Sequence, residues 1–146
     1  MIYKKYFDEK VNHVEAGAFC DQDSEDADVG QFLHLPMPRN ESENQIYFDI
    51  IDGEEKGTWL DIHEVMPRTE PRRWVYKDGS EVTWLNWASG EPNNYKKGSN
   101  NELTVEMLIT NGQWNDQRKY HTFAVCTYLL PAGAENVCTW LHDFEN

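Results

Sequence analysis

The chain has 146 residues and a mass of 17.1 kDa, enough for one domain with a buried core. Its 26 acidic against 13 basic residues give a net charge of -13, a field that repels phosphate backbones and anionic lipid surfaces and argues against nucleic acid and membrane as partners. Six Trp and seven Tyr against a mean hydropathy of -0.78 predict a small core of large rings within much polar loop.

The first third reads as helical. In "NHVEAGAFC", Asn12 and Glu15 have the spacing of a capping box, and Val11, Val14 and Ala18 recur at helical intervals. "VGQFLHLPM" alternates like a strand, with Phe32 and His34 on one face, Leu33 and Leu35 on the other, and Pro36 as its end. "NESENQIYFDIIDG" predicts a second helix: Asn40 and Glu43 repeat the capping box, Ile46, Tyr47, Ile50 and Ile51 form the stripe, and Gly53 is the stop. Asn40–Glu41–Ser42 is also a glycosylation sequon.

After Gly57 the period changes to two. "TWLDI" reads as a short strand, and "RRWVYKDGSEVTW" as a hairpin turning at Asp78–Gly79. "LTVEMLI" puts Leu103, Val105, Met107 and Ile109 on one face, and Asn111–Gly112 then turns the chain into "QWND". "TFAVCTYLL" is the last strand. Between Trp87 and Glu102 runs "ASGEPNNYKKGSNN", a polar loop with neither period, and a loop of that length bracketed by strands favours function. The tail from Pro131 falls outside the strand pattern.

No apolar run reaches the roughly 18 residues of a spanning helix, and Met1 begins no signal-like stretch, so the sequence predicts a soluble chain. The three cysteines, Cys20, Cys126 and Cys138, lack zinc-ligand spacing. One long-range disulfide plus one odd thiol fits them, and points to an oxidising compartment.

Calcium takes roughly six to eight oxygen ligands from carboxylates, carboxamides, backbone carbonyls and water. Glu91, Asn93, Glu102, Asn115 and Asp116 supply such side chains from the loop and the adjoining hairpin. A cis bond before Pro92 would turn Glu91 and Asn93 toward one point. "DQDSEDAD" lacks the glycine and terminal glutamate of a calcium-binding helix-loop-helix and reads as a solvated acidic loop. The five histidines show no metal spacing. No Ser/His/Asp arrangement or Gly-rich phosphate loop is present, so an enzyme is not expected. Trp59, Trp74, Trp87 and Trp114 read as core. Tyr95 reads equally as an exposed loop residue or a ring packed at the site, and Lys96 and Lys97 as solvated.

The helix with Cys20, "TWLDI", "NWASGEPN", "GQWND" and "FAVC" stand in the order of a known family, and from Tyr6 to Leu130 the chain resembles the C-type lectin-like domain. The resemblance implies an α+β C-type lectin fold, two helices packed on small antiparallel sheets with a long calcium-binding loop. It divides the chain into a carbohydrate-recognition domain over 1–130 and an extension over 131–146. It implies that Glu91, Asn93, Glu102, Asn115 and Asp116 hold calcium and, with Tyr95, a sugar, and that Cys20 pairs with Cys126. Two neighbouring sugar hydroxyls would displace water from the calcium, each donating to a carboxylate and accepting from an Asn amide. Glu then Asn in the loop is associated with mannose, glucose, N-acetylglucosamine and fucose, Gln then Asp with galactose.

The resemblance further implies a secreted or extracellular module that binds glycans on cell surfaces, the alternative being a module of the same fold for a protein or other non-sugar ligand. The chain also departs from the family pattern. Thr104 stands where one half of an inner disulfide would be, and "QRKY" offers no partner. Asn94 and Leu103 stand where an accessory site wants acidic residues, so one Ca2+ is expected. The loop is a few residues longer than usual, making Asn101 the substitute for Glu102. Asp61 replaces a glycine. With Cys20 and Cys126 paired, Cys138 and the apolar Val137, Trp140, Leu141 and Phe144 make a homodimer through the tail one expectation and packing on their own domain the other.

Overall fold

A computed structural model describes residues 2–6, 9–26, 33–54, 56–95, 101–118 and 120–129. The tail with Cys138, Ala27, Asp28, Phe32, Lys96 and Lys97 lie outside the described residues. So do the division at residue 130 and the homodimer through Cys138. Residues 21–26 of "DQDSEDAD", expected as a loop, continue the first helix.

The two-residue period after Gly57 becomes a four-stranded antiparallel sheet. Its members are β3 (Thr58–Glu64), β4 (Trp74–Tyr76), β5 (Thr104–Met107) and β6 (Trp114–Gln117), in the order β4-β3-β5-β6. All of β3 except His63 is buried, because the strand has a core on each side. Trp59 packs with Ala16, Leu33, Leu35 and Ala124. Leu60 and Ile62 pack with Tyr47, Ile51, Trp74, Val105, Met107 and Trp114. Gly79, at φ 87, turns the chain back after β4. The returning arm pairs with β4 through the antiparallel Val75–Glu81 bridge, the Tyr76 N–H donating to Ser80 O and the Val82 N–H to Trp74 O, both at 2.9 Å, so the hairpin read in "RRWVYKDGSEVTW" has one regular strand.

Both helices start where their capping boxes place them. Asn12 Oδ1 accepts from the Glu15 N–H at 2.8 Å, opening α1 (His13–Asp26). Asn40 Oδ1 accepts from the Glu43 N–H at 2.9 Å, opening α2 (Glu41–Glu54). The buried face of α1 carries Ala16 and Cys20, whereas Val14 is 75% exposed. The Val14–Ala18 stripe therefore points outward, because the inner face uses residues small enough to sit against Trp59. In α2, Tyr47 and Ile51 are buried and Ile46 is exposed, and the helix continues one residue beyond Gly53.

Around Leu33 to Leu35 the alternation holds without a regular strand. Both leucines are buried, and His34 makes an isolated bridge with Thr127, N–H to O at 3.0 and 2.8 Å. Two further strands, absent from the sequence reading, close the ends. Strand β1 (Ile2–Tyr6) pairs with β8 (Val125–Leu129), and β2 (Val11–Asn12) with β7 (Tyr120–Thr122). The Cys20–Cys126 disulfide, with a sequence separation of 106, joins α1 to β8. No helix among the described residues is long and apolar enough to cross a membrane.

Candidate functional site

Large rings fix the loop that carries Glu91. Trp114 on β6 meets Trp84 and Trp87 edge-on at 5.6 and 5.9 Å, and Trp87 lies 5.0 Å from Trp74. Backbone bonds zip the same stretch to the strand. The Trp114 N–H donates to Asn86 O and the Ala88 N–H to Trp114 O, both at 2.8 Å. Trp114 is anchored from beneath, where its Nε1–H donates to Asn44 Oδ1 of α2 at 2.9 Å. Asn44 also donates to Gly112 O at 3.0 Å. Gly112 is required there twice over: its φ is 76, and a Cβ would meet the Phe48 ring at 3.0 Å.

The loop then turns through Gly90, at φ 83, into a cis Glu91–Pro92 bond and a left-handed Asn94 at φ 47. This path aims successive N–H groups at carboxylates. Asn93 N–H donates to Asp116 Oδ1 at 3.0 Å and Asn94 N–H to Oδ2 at 2.8 Å. The Tyr95 N–H donates to Asn93 Oδ1 at 3.0 Å and to Glu102 Oε1. Asn94 clamps the far side of the loop, accepting from the Glu102 N–H at 3.0 Å and donating to Asn101 Oδ1 at 3.3 Å.

Of the expected site residues, the structure brings Glu91, Asn93, Tyr95, Glu102 and Asp116 together. Asp116 and Glu102 are buried. Burial first, and then the neighbouring Asp116 and Glu102 carboxylates, push the Glu91 carboxyl up to about 7. Burial and Asp116 likewise raise Glu102. Asn115 precedes Asp116 on β6, its Nδ2 donating to Glu106 Oε1 at 3.0 Å. Among the described residues no three His, Cys, Asp or Glu side chains form a metal-binding group.

The donor set nonetheless fits a hard cation. Glu91 Oε2 is buried with no hydrogen-bond partner among the described residues, in a region crowded with like charges, and burying such an oxygen unpaired is costly. Oxygen ligands of this kind suit calcium.

Three residues at the site escaped the sequence reading. Arg72 reaches Asp116 Oδ2 at 2.9 Å, Glu64 Oε1 at 2.8 Å and Glu102 O at 2.8 Å, with its guanidinium 4.7 Å above the Trp74 ring. Glu106 orients both Asn115 and Gln117, accepting from them at 3.0 and 3.1 Å. Its position was visible in the register, since a turn at Asn111–Gly112 sets Glu106 opposite Asn115. Arg118 stands beside Tyr95 at 6.0 Å. Neither Arg72 nor Arg118 announces itself through a local pattern.

No family model matches the chain. Over 83 residues, 57% of its length, it is 34% identical to pulmonary surfactant-associated protein D of Sus scrofa, covering 21% of that protein. Over 82 residues, 56% of its length, it is 38% identical to a mannose-binding protein of Gallus gallus, covering 29% of that protein. The chain thus spans under a third of either relative. The carbohydrate-recognition domain of the mouse scavenger receptor C-type lectin superposes with a TM-score of 0.68 at 23% identity, over 90% of this chain and 91% of that one. The chain has the C-type lectin fold.

Proposed function

We propose that this chain binds carbohydrate, in a calcium-dependent way and with mannose-type selectivity, and is not an enzyme. The observation that carries the reading is the buried Oε2 of Glu91, without a hydrogen-bond partner among the described residues, beside the carboxylates of Asp116 and Glu102. Glu91, Asn93, Glu102, Asn115 and Asp116 are the residues that would hold one Ca2+, which when bound offers coordination positions to two neighbouring sugar hydroxyls.

The chain's own side chains are set for that task. Asn93 Oδ1 accepts from the Tyr95 N–H, which leaves Asn93 Nδ2 as a donor. Asn115 Nδ2 is spent on Glu106, which leaves Asn115 Oδ1 as an acceptor. Glu91 is an acceptor when ionised, so donor and acceptor stand on either side of Pro92. Tyr95, 66% exposed, offers a ring for the apolar face of a sugar. Support for a single calcium comes from Glu64, the next buried carboxylate, which Arg68 and Arg72 already neutralise at 2.7 and 2.8 Å.

The partners would be glycans on cell surfaces. A secreted or extracellular location agrees with the Cys20–Cys126 disulfide. A glycan array with and without calcium tests the proposal. Binding to mannose-type glycans that free mannose competes and EGTA abolishes is the expected result. Binding to a protein ligand that neither agent disturbs would favour the alternative of a non-sugar ligand.

A further inference from the structure

Arg118 is the first residue after β6, two positions beyond Asp116, and residues two apart in an extended chain share a face. Its guanidinium lies 6.0 Å from the ring of Tyr95, and its charge reaches the Glu102 carboxyl. Unlike Arg68, Arg72 and Arg73, which pair with carboxylates at 2.7 to 2.9 Å, Arg118 has no ion-pair partner among the described residues. Its Nη1 is buried and makes no hydrogen bond there. Among the described residues, a half-buried guanidinium that no carboxylate pairs with is the exception. A planar fork of N–H donors held beside an exposed aromatic ring matches a planar or tetrahedral oxyanion.

We propose that Arg118 and Tyr95 form a subsite for an acidic substituent, a carboxylate or a sulfate ester, on the glycan held by Glu91, Asn93 and Asp116. This inference rests on the calcium-dependent sugar reading above. The net charge of -13 opposes the approach of any acidic glycan. The preference is therefore a short-range one, to be measured at physiological salt, where that field is screened beyond about 8 Å.

The test compares three matched glycans on the intact chain: a neutral mannose-terminated oligosaccharide, the same with a sulfate ester, and the same with a uronic acid beside the terminal sugar. Each is measured with calcium and with EGTA. The wild-type chain is expected to bind at least one acidic glycan about tenfold more tightly than the neutral one, and the two acidic arms tell sulfate from carboxylate. Arg118→Gln should remove that preference, and Arg118→Lys should keep part of it. Equal binding of all three glycans by the wild type overturns the proposal without recourse to a variant, as does a preference that survives in Arg118→Gln. Acidic binding that depends on Arg118 but persists in EGTA supports the subsite and overturns the calcium reading. Failure to bind any of the three glycans overturns both.

Discussion

Arg72 Nη1 stands 2.9 Å from Asp116 Oδ2, while Nη2 of the same guanidinium is 2.8 Å from Glu64 Oε1. Both carboxylate side chains are fully buried, and the arginine is 12% exposed. Burial alone would raise the Glu64 carboxyl, yet its bonds to Arg68 and Arg72 hold it below the usual range. Arg72 is therefore a fixed cation within the fold, tying the strand that carries Asp116 to the end of β3.

Arg72→Met, similar in volume and uncharged, leaves that Asp116 without its cation and Glu64 with only Arg68. The expected loss is about 3–5 kcal/mol of unfolding free energy, most of it the cost of uncompensated buried charge. Arg72→Lys should recover only part, since an ammonium cannot fork to two carboxylates and a carbonyl at once. Urea unfolding at neutral pH checks both variants. A Met variant within about 1 kcal/mol of wild type would show that water replaces the guanidinium freely.

Features written in adjacent residues were legible in the sequence. Both capping boxes lie within four residues of chain, and both helices begin at them. The stripe on α1 was misread because Ala16 and Cys20, the residues that pack inward, carry little hydrophobic signal beside Val14, which faces solvent. Strands β1 and β2 exist because β8 and β7 pair with them from the other end of the chain, and nothing local encodes that. At the site, the oxygen-bearing residues stood out through their motifs. Arg72 did not, because its bond to Asp116 spans 44 residues of sequence. Thr104, which occupies the place of an expected half-cystine, closes the β5–β6 pair by donating its hydroxyl to Gln117 O at 2.7 Å.

Asp61, the residue standing where the resemblance has a glycine, is 6% exposed between Leu60 and Ile62. Burial, with Asp78 and Asp21 nearby, pushes its carboxyl up from 3.8 to about 6, against the opposing pull of Lys77. A raised carboxyl binds its proton more tightly in the folded chain than in the unfolded one. Its contribution to stability is thus fully present below the unfolded value and is lost as pH rises through about 6. Asp61→Asn, which cannot ionise, should be about 1–3 kcal/mol more stable than wild type at pH 7.5 and show no gain at pH 4. Denaturant midpoints across that range measure it. A gain independent of pH would assign the effect to packing.

The Cys20–Cys126 bond closes a loop with a separation of 106 residues, for which chain entropy gives about 4–5 kcal/mol. With no second disulfide bracing the β5–β6 turn, Cys20→Ala with Cys126→Ala should cost about that much and move the urea midpoint accordingly. Peptide mapping of the wild-type chain is expected to return the Cys20–Cys126 pair. Non-reducing electrophoresis of the same sample decides between a homodimer through Cys138 and a tail packed on its own domain. A dimer band that collapses on reduction supports the homodimer. A monomer band unchanged by reductant, with Cys138 open to alkylation, rules the covalent dimer out.

The selectivity proposal turns on the order of acceptor and donor around Pro92. Glu91→Gln combined with Asn93→Asp exchanges the two while keeping side-chain length, and the oxygen that accepts from the Tyr95 N–H is retained in the exchange. The loop should therefore survive, and its attachment to Asp116 through the N–H groups of residues 93 and 94 does not depend on either side chain. What changes is the pairing offered to a hydroxyl on each side of the ion. The expected outcome is a fall of about tenfold in affinity for mannose-type glycans, with preference moving toward galactose and calcium dependence kept. Free monosaccharides should bind on the order of millimolar in both forms, since so small and exposed a contact gains little beyond the cost of association. The array is thus best read with multivalent glycans. Selectivity unchanged in the double variant, with calcium still bound, would mean that these two side chains do not touch the sugar.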